Sequence, residues 1–350
     1  MYDYSKPEVR SHYLDVLREA CRRYDIDGVE LDWLRYPKFF REGEVDAAVI
    51  TAFVRDARSI LDEAATRRGH PLRRVTRVPD SPGSARRIGL DVEAWLEAGW
   101  IDAVIAGHGF TFNSNELDQW VAVAHRHHVP VYGVLERMPR GFARYGTPET
   151  LRAAAATLWA RGADGLYLFN FVNTAEYPLL ADLADPARLA LRPKEFFLDA
   201  CWVTDNGTVS KPPLPLIVQP GSPARATLFL TDDPAHATEL ELELAWKGAG
   251  DFAAPDVVVN GQKLGGQQLG SQKLEDLTLD RGKAAFAAVS AVRLEKGETP
   301  LTVSCSSASL ANVFRRGANE CVFTSTSDAT LTALGLKLTP APSTDARAPQ

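Results

Sequence analysis

From Gly28 to Trp33 the chain alternates polar or small residues with large apolar ones. Side chains on a strand point alternately to opposite faces, so Gly28, Glu30 and Asp32 share one face and Val29, Leu31 and Trp33 the other. Upstream, Val9, Tyr13, Val16, Leu17 and Ala20 recur at helical spacing, which predicts a helix over Pro7–Arg23 with Ser5 as its cap. The two periods then take turns. Helices are expected near 45–68, 91–98, 114–127 and 147–161, and strands near 74–78, 102–108, 130–136 and 165–171. Strands alternating with helices imply an α/β fold with a parallel sheet.

After about residue 200 the texture changes. Pro212, Pro213, Pro215 and Pro220 mark a linker, and short alternating runs follow: ATLFLTDD, TELELELAW, PDVVVNGQKL, TPLTVSCSS, NECVFTSTS and ATLTALGLKL. Asn260-Gly261 between two such runs is a hairpin signal, and Gly317 and Asn319 read as a turn before CVFTS. Many short strands at even spacing predict an all-β sandwich. The expected organisation is an α/β domain over 1–195, a β-sandwich over 196–340 and a disordered tail over 341–350.

The α/β part is short for its pattern. A closed (β/α)8 barrel needs eight strands in typically about 250 residues, whereas five strands are read here and a helix comes first. The fold class expected is thus a partial (β/α)8 TIM barrel of about five βα units, with the missing N-terminal barrel half encoded upstream. An open parallel edge at the Asp32 strand would otherwise leave backbone groups unpaired.

Bulk properties narrow the classes. A formal net charge of −6 and the lack of a basic run argue against nucleic acid as a partner. No run of 18 or more apolar residues offers a membrane span. Met1 leads directly into YDYSKPEVR with no signal-peptide pattern, although a secreted or periplasmic setting would suit a longer form. The four cysteines, Cys21, Cys201, Cys305 and Cys321, lack zinc spacing, while Cys305 and Cys321 both lie in the all-β region and are a candidate pair. The cluster His125, Arg126, His127, His128 reads as a helix end, GADG (Gly162, Gly165) as a helix-to-strand turn, and no GxGxxG or P-loop implies a cofactor.

Carboxylates carry the candidate chemistry. If the Asp32 side of the first strand faces a barrel interior, each later strand can be read to end in a polar residue on that side: Arg77, His108, Glu136 and Asn170. Beneath them lie Val104 and Ala106, Tyr132 and Val134, and Leu166 and Leu168. Counted within an eight-strand barrel, Asp32 ends strand four and Glu136 strand seven. Two carboxylates facing each other across a barrel mouth are the equipment for cleaving a glycosidic bond, with Asp32 read as the acid and Glu136 as nucleophile or base. Glu30, Arg35, Arg77, His108 and Asn170 are read as substrate-binding, and Trp33, Trp100, Phe110 and Phe112 as candidate stacking surfaces. Trp33 lies on the outward parity and is better read as buried under a helix, and Arg35 can equally pair with Glu30 or Asp32.

The stretch DYSKPEVRSHYLDVLREACRRYDIDGVELDWLRYP, with the later GADGLYLFNF, resembles the bacterial glycosyl hydrolase-like TIM barrels labelled family-10-like. Their recurrent core is a DG-x-[HE]-x-D…R-[YF]-P strand behind a helix that begins PEVR. The resemblance covers roughly residues 1–175 and implies a carbohydrate-active barrel with Asp32 as the strand-end acid. The tail, with VVVNGQKL and RRGANECVF, resembles galactose-binding-like β-sandwiches. The chain departs from well-known barrel glycosidases in lacking an Asn-Glu pair on the strand. The expected function is therefore glycoside hydrolysis of an oligo- or polysaccharide. The alternatives are a non-catalytic carbohydrate-binding or scaffold protein on a degenerate barrel, and a metal-dependent hydrolase using His108 with Asp32.

Overall fold

The computed structural model describes residues 2–34, 37–107, 116–136, 146–172, 174–198, 213–250, 252, 255–264, 278–280, 298–306 and 308–342. Arg35, His108, Phe110 and Phe112, and nearly all of the expected tail, lie outside them. The chain divides into two compact units, one of Met1–Val134 with Arg161–Phe169, the other of Leu135–Ala160 with Asn170–Trp202 and Pro212–Gln350.

The first unit is built on a five-strand sheet in the order β1 (Gly28–Asp32), β2 (Arg73–Val78), β3 (Ala103–Ala106), β4 (Val131–Glu136), β5 (Gly165–Phe169). The pairings β1/β2, β2/β3 and β3/β4 are parallel, and among the described residues β1 pairs with β2 alone, which leaves the expected open edge there. Helix α1 (Pro7–Arg23) precedes β1, and α2 (Ala47–Arg68), α3 (Pro82–Arg87), α4 (Val92–Glu97) and α5 (Leu117–Ala124) occur between the strands. Asp46 caps α2 through Ala48 N–H and Asp91 caps α4 through Ala94 N–H. The helix-facing side of the sheet is dry. Trp33 is 4% exposed, sits among Tyr4, Phe39, Phe53 and Trp95, and donates its indole N–H to Thr76 Oγ1 at 3.1 Å. Its outward parity therefore holds, and it offers no surface to a sugar.

The register corrects two other strands. In-register neighbours in a parallel pair share a face, and Asp32 pairs with Arg77, Arg77 with Ile105, and Ile105 with Tyr132. The face that carries Asp32 therefore continues through Ala103 and Ile105 on β3, not through Val104 and Ala106. On β5 it carries Tyr167 and Phe169, whose rings meet Arg77, rather than Leu166 and Leu168.

An ion pair stitches β2 to the start of β3. Asp102 accepts from the Arg74 backbone N–H (2.8 Å), Nε (2.8 Å) and Nη2 (2.9 Å). Burial works against the charged carboxyl, but the Arg74 hydrogen bonds and charge outweigh it and hold Asp102 below the usual carboxylate range. Asp102→Asn is expected to cost about 1.5–3 kcal/mol at neutral pH, the range for hydrogen bonds to charged groups. Because the folded-state pKa is depressed, this stabilisation is present above the unfolded value of about 4 and is lost as pH falls through the folded value. Urea midpoints of both proteins at pH 7 and in acid check this: the gap should close on acidification, and a gap that persists unchanged below pH 3 would contradict it.

The second unit holds α6 (Pro148–Ala160), α7 (Tyr177–Leu183) and α8 (Pro186–Ala190), followed by ten strands in two antiparallel sheets. In chain order the strands are β6 (Lys194–Phe197), β7 (Leu216–Val218), β8 (Ala224–Leu230), β9 (Ala237–Ala249), β10 (Asp256–Val259), β11 (Gln262–Leu264), β12 (Thr278–Asp280), β13 (Glu298–Ser306), β14 (Gly317–Thr324) and β15 (Ala329–Pro340). One sheet runs β11-β10-β14-β8. The other runs β12-β13-β9-β15-β6, with β7 also on β15. Asn260 (φ 50°) and Gly261 (φ 83°) form the expected two-residue hairpin between β10 and β11. Gly317 and Asn319 belong to β14 rather than to a turn before it. Asn319 is fully buried and its Nδ2 donates to the carbonyls of Arg315, Gly317 and Leu228. Cys321 is a buried free thiol, and burial pushes its pKa up to about 12; the side chain of Cys305, its candidate partner, lies outside the described residues. No helix among the described residues is long and apolar enough to cross a membrane.

Candidate active site

On β1 the alternation delivers Glu30 and Asp32 side by side to the concave face of the sheet. Asp32 closes the strand in a local turn, its Oδ1 accepting from Leu34 N–H at 2.9 Å. Its Oδ2 accepts from Arg77 Nη1 at 3.1 Å, so both carboxylate oxygens are engaged as acceptors. The Arg77 side chain is 3% exposed while that of Asp32 is 40% exposed, which makes the pair a buried cation with an acid at the surface. Arg77 is held from above by aromatic rings, with its Cζ 4.3 Å from the Phe169 ring centroid and 5.3 Å from that of Tyr167. Ring faces attract a cation, and more strongly where water is excluded.

Tyr167 reaches further. Its hydroxyl donates to Glu30 Oε1 at 3.3 Å, from the opposite edge strand of the sheet. Four interstrand steps on a flat sheet would span about 19 Å at roughly 4.8 Å each. The contact therefore requires a sheet curled toward its concave side, as in a barrel wall. Burial, followed by the charge of Asp32, raises the Glu30 pKa, and the Tyr167 hydrogen bond and Arg77 oppose the shift. Burial and the charge of Glu30 likewise raise the Tyr167 phenol. A cleft of about 1020 Å³ opens where the strands begin, lined by Gly28, Glu30, Arg73, Ala103, Tyr132 and Tyr167 among others, and of the two β1 acids only Glu30 lines it. Gly165 lets the Tyr132 ring pack closely against the start of β5, because a Cβ there would stand 2.5 Å from it.

Glu136, the last residue of β4, pairs with Asn170, which follows β5. Glu136 has no exposed surface, and its Oε1 accepts from Asn170 Nδ2 at 2.9 Å. Asn170 adopts a left-handed φ of 62°, a conformation few residues other than glycine and asparagine accept readily, and this turns it off the line of β5.

Of the residues expected at the site, the structure thus brings Glu30, Asp32 and Arg77 together, and Glu136 with Asn170. Arg35 and His108 lie outside the described residues. Among those that are described, no group of three or more His, Cys, Asp and Glu could hold a metal ion. Tyr167 and Phe169 were missed. The signal available for them was the pattern Leu-Tyr-Leu-Phe, which places both rings on one face of the strand.

No family model and no curated protein matches the chain. Solved structures similar to it include an N-acetylglucosaminidase of glycoside hydrolase family 18 from Paenibacillus barengoltzii. That protein is 14% identical, with a TM-score of 0.36, over 51% of this chain and 76% of its own. A cell-surface-expressed multi-modular chitinase from a Paenibacillus species is 13% identical, with a TM-score of 0.37, over 95% of this chain and 44% of its own. A chitinase from Bacillus thuringiensis is 10% identical, with a TM-score of 0.36, over 97% of this chain and 76% of its own. These structural neighbours are thus an N-acetylglucosaminidase and two chitinases.

Proposed function

We propose that this chain is part of a carbohydrate-active protein that hydrolyses a glycosidic bond with carboxylates on the concave face of a (β/α)8-type sheet. The region beyond 196 would be an accessory β-sandwich of the galactose-binding kind. The observation that carries the reading is the face of β1, where Glu30 and Asp32 stand together, Glu30 lining a cleft, with Arg77 and two aromatic rings fixing their surroundings. Carboxylates in unequal environments beside a cleft are what acid-assisted departure of an alcohol needs. Asp32 stays in the chemistry, but with both oxygens accepting it is better suited to the anomeric carbon than to giving a proton. Glu136, proposed as its catalytic partner from the sequence, is tested by Glu136→Gln, which keeps an acceptor for Asn170.

A second reading is a binding protein without turnover, and the full burial of Glu136 favours it. The test is incubation with β-1,4-linked oligosaccharides of glucose, mannose and N-acetylglucosamine, with products resolved by chromatography and binding measured by calorimetry. The 350-residue chain is assayed. Cleavage supports hydrolysis, binding without cleavage selects the second reading, and the absence of both overturns both.

A further inference from the structure

We infer that Glu30, positioned by Tyr167, is the residue that protonates the departing glycosidic oxygen; this rests on the hydrolase reading above. Three geometric facts single it out. Glu30 lines the cleft and is open to solvent, so a substrate oxygen can reach it. Its Oε1 accepts from the Tyr167 hydroxyl, which fixes the carboxyl group and leaves the other oxygen to carry a proton. Asp32, the competing acid on the same face, is committed to Arg77 and to Leu34 N–H.

The charged and titratable groups around Glu30 are Asp32 on its own strand, Arg77 on β2 and Tyr167 on β5. Burial and the Asp32 charge favour the protonated form of Glu30 and exceed the opposing pull of Tyr167 and Arg77. A carboxyl whose pKa is raised beside a second carboxylate is the arrangement expected of a glycosidase acid.

The chemistry balances with water as the co-reactant. The proton leaves Glu30 for the glycosidic oxygen as the bond from that oxygen to the anomeric carbon breaks, its electron pair going to the oxygen. Asp32 forms an ester bond to the anomeric carbon in the same step. Water then loses a proton to Glu30 and attacks that carbon, breaking the ester, so both carboxyl groups return to their starting state. Tyr167 takes no part in bond making. It is a positioning residue.

Two variants test the assignment. In Glu30→Gln, hydrolysis of unactivated glycosides should fall about 10²–10⁴-fold. Hydrolysis of 2,4-dinitrophenyl glycosides, whose leaving group needs no proton, should fall less than tenfold. Equal losses on the two substrate types would overturn the role. In Tyr167→Phe the hydrogen bond that lowers the Glu30 pKa is gone, so the alkaline limb of kcat/KM should move to higher pH. A purely structural tyrosine would lower activity at every pH and leave the limb in place, which would overturn the positioning role. Carboxyl-carbon NMR titration of Glu30, assigned with Glu30→Gln, reads the same shift without turnover. If the protein hydrolyses glycosides but Glu30 titrates identically in wild type and Tyr167→Phe, this inference fails and the hydrolase reading stands. If no glycoside is cleaved, the hydrolase reading fails and takes the acid role with it.

Discussion

Asp32→Asn is expected to lower kcat on any glycoside the protein cleaves by about 10²–10⁴-fold, the usual range when a positioned acid, base or nucleophile is lost. Asparagine keeps the shape of the side chain and the acceptor for Leu34 N–H, so the turn that ends β1 survives. It removes the negative charge, and with it both the carboxylate nucleophile and the counter-ion of Arg77. Arg77 is then a cation at 3% exposure facing a neutral amide, supported by the Phe169 and Tyr167 rings alone. Losing one partner of a buried pair is costly, although the exposure of Asp32 moderates it, so a stability loss of about 2–3 kcal/mol is expected alongside. The two effects separate experimentally. Urea unfolding gives the folded fraction at the assay temperature, and kcat is compared per folded molecule. A corrected kcat within tenfold of wild type would place the chemistry elsewhere.

How far this site could be read in advance depended on how each strand is buried. On β1 the two faces differ in kind, acids against Val29, Leu31 and Trp33, so the alternation assigns them without help from the rest of the fold. Arg77 came into view because it is polar in an otherwise apolar strand end. On β3 the run Ala103–Ala106 is apolar throughout and buried on both faces, so period two carries no information about which side points inward. On β5 Leu166 to Phe169 is again apolar throughout, and only the alternation of leucine with aromatic rings distinguishes its faces. There the wrong parity brought forward Asn170, which owes its place near Glu136 to a left-handed backbone turn rather than to alternation. The approach of Tyr167 to Glu30 spans 137 positions of sequence and depends on sheet curvature, a property of the packed whole that no local pattern encodes. Strand β6 was invisible for another reason. Its four residues follow Pro193, and they become a strand through pairing with β15, about 140 positions later.

Asp232→Ala is expected to be among the most destabilising single changes in the second unit, at about 3–5 kcal/mol. Lys194 is fully buried at the start of β6, and its ammonium donates to Asp232 Oδ2 at 2.7 Å and to the Arg192 carbonyl at 3.1 Å. Burial lowers the Lys194 pKa, and the bond to Asp232 is the main force opposing that shift. Taking away the carboxylate leaves an ammonium in the interior with a carbonyl as its remaining acceptor among the described contacts. Removing the other partner should cost much less. In Lys194→Met the apolar stem is replaced at similar length, while Asp232 keeps the Thr231 hydroxyl as a donor and, with 16% of its side chain exposed, some access to water. The pH dependence adds a second check on the same pair. A lysine whose folded pKa lies below its unfolded value binds its proton more weakly in the native state. Stability contributed by this group therefore rises with pH from the folded pKa up to about 10.4, the unfolded value. That rise should begin at lower pH in Asp232→Ala, where the pKa falls further, and should vanish in Lys194→Met. Thermal or urea unfolding of the three proteins between pH 6 and 10 measures all of this, and equal losses in the two variants would show that the ion pair does not govern the stability of this region.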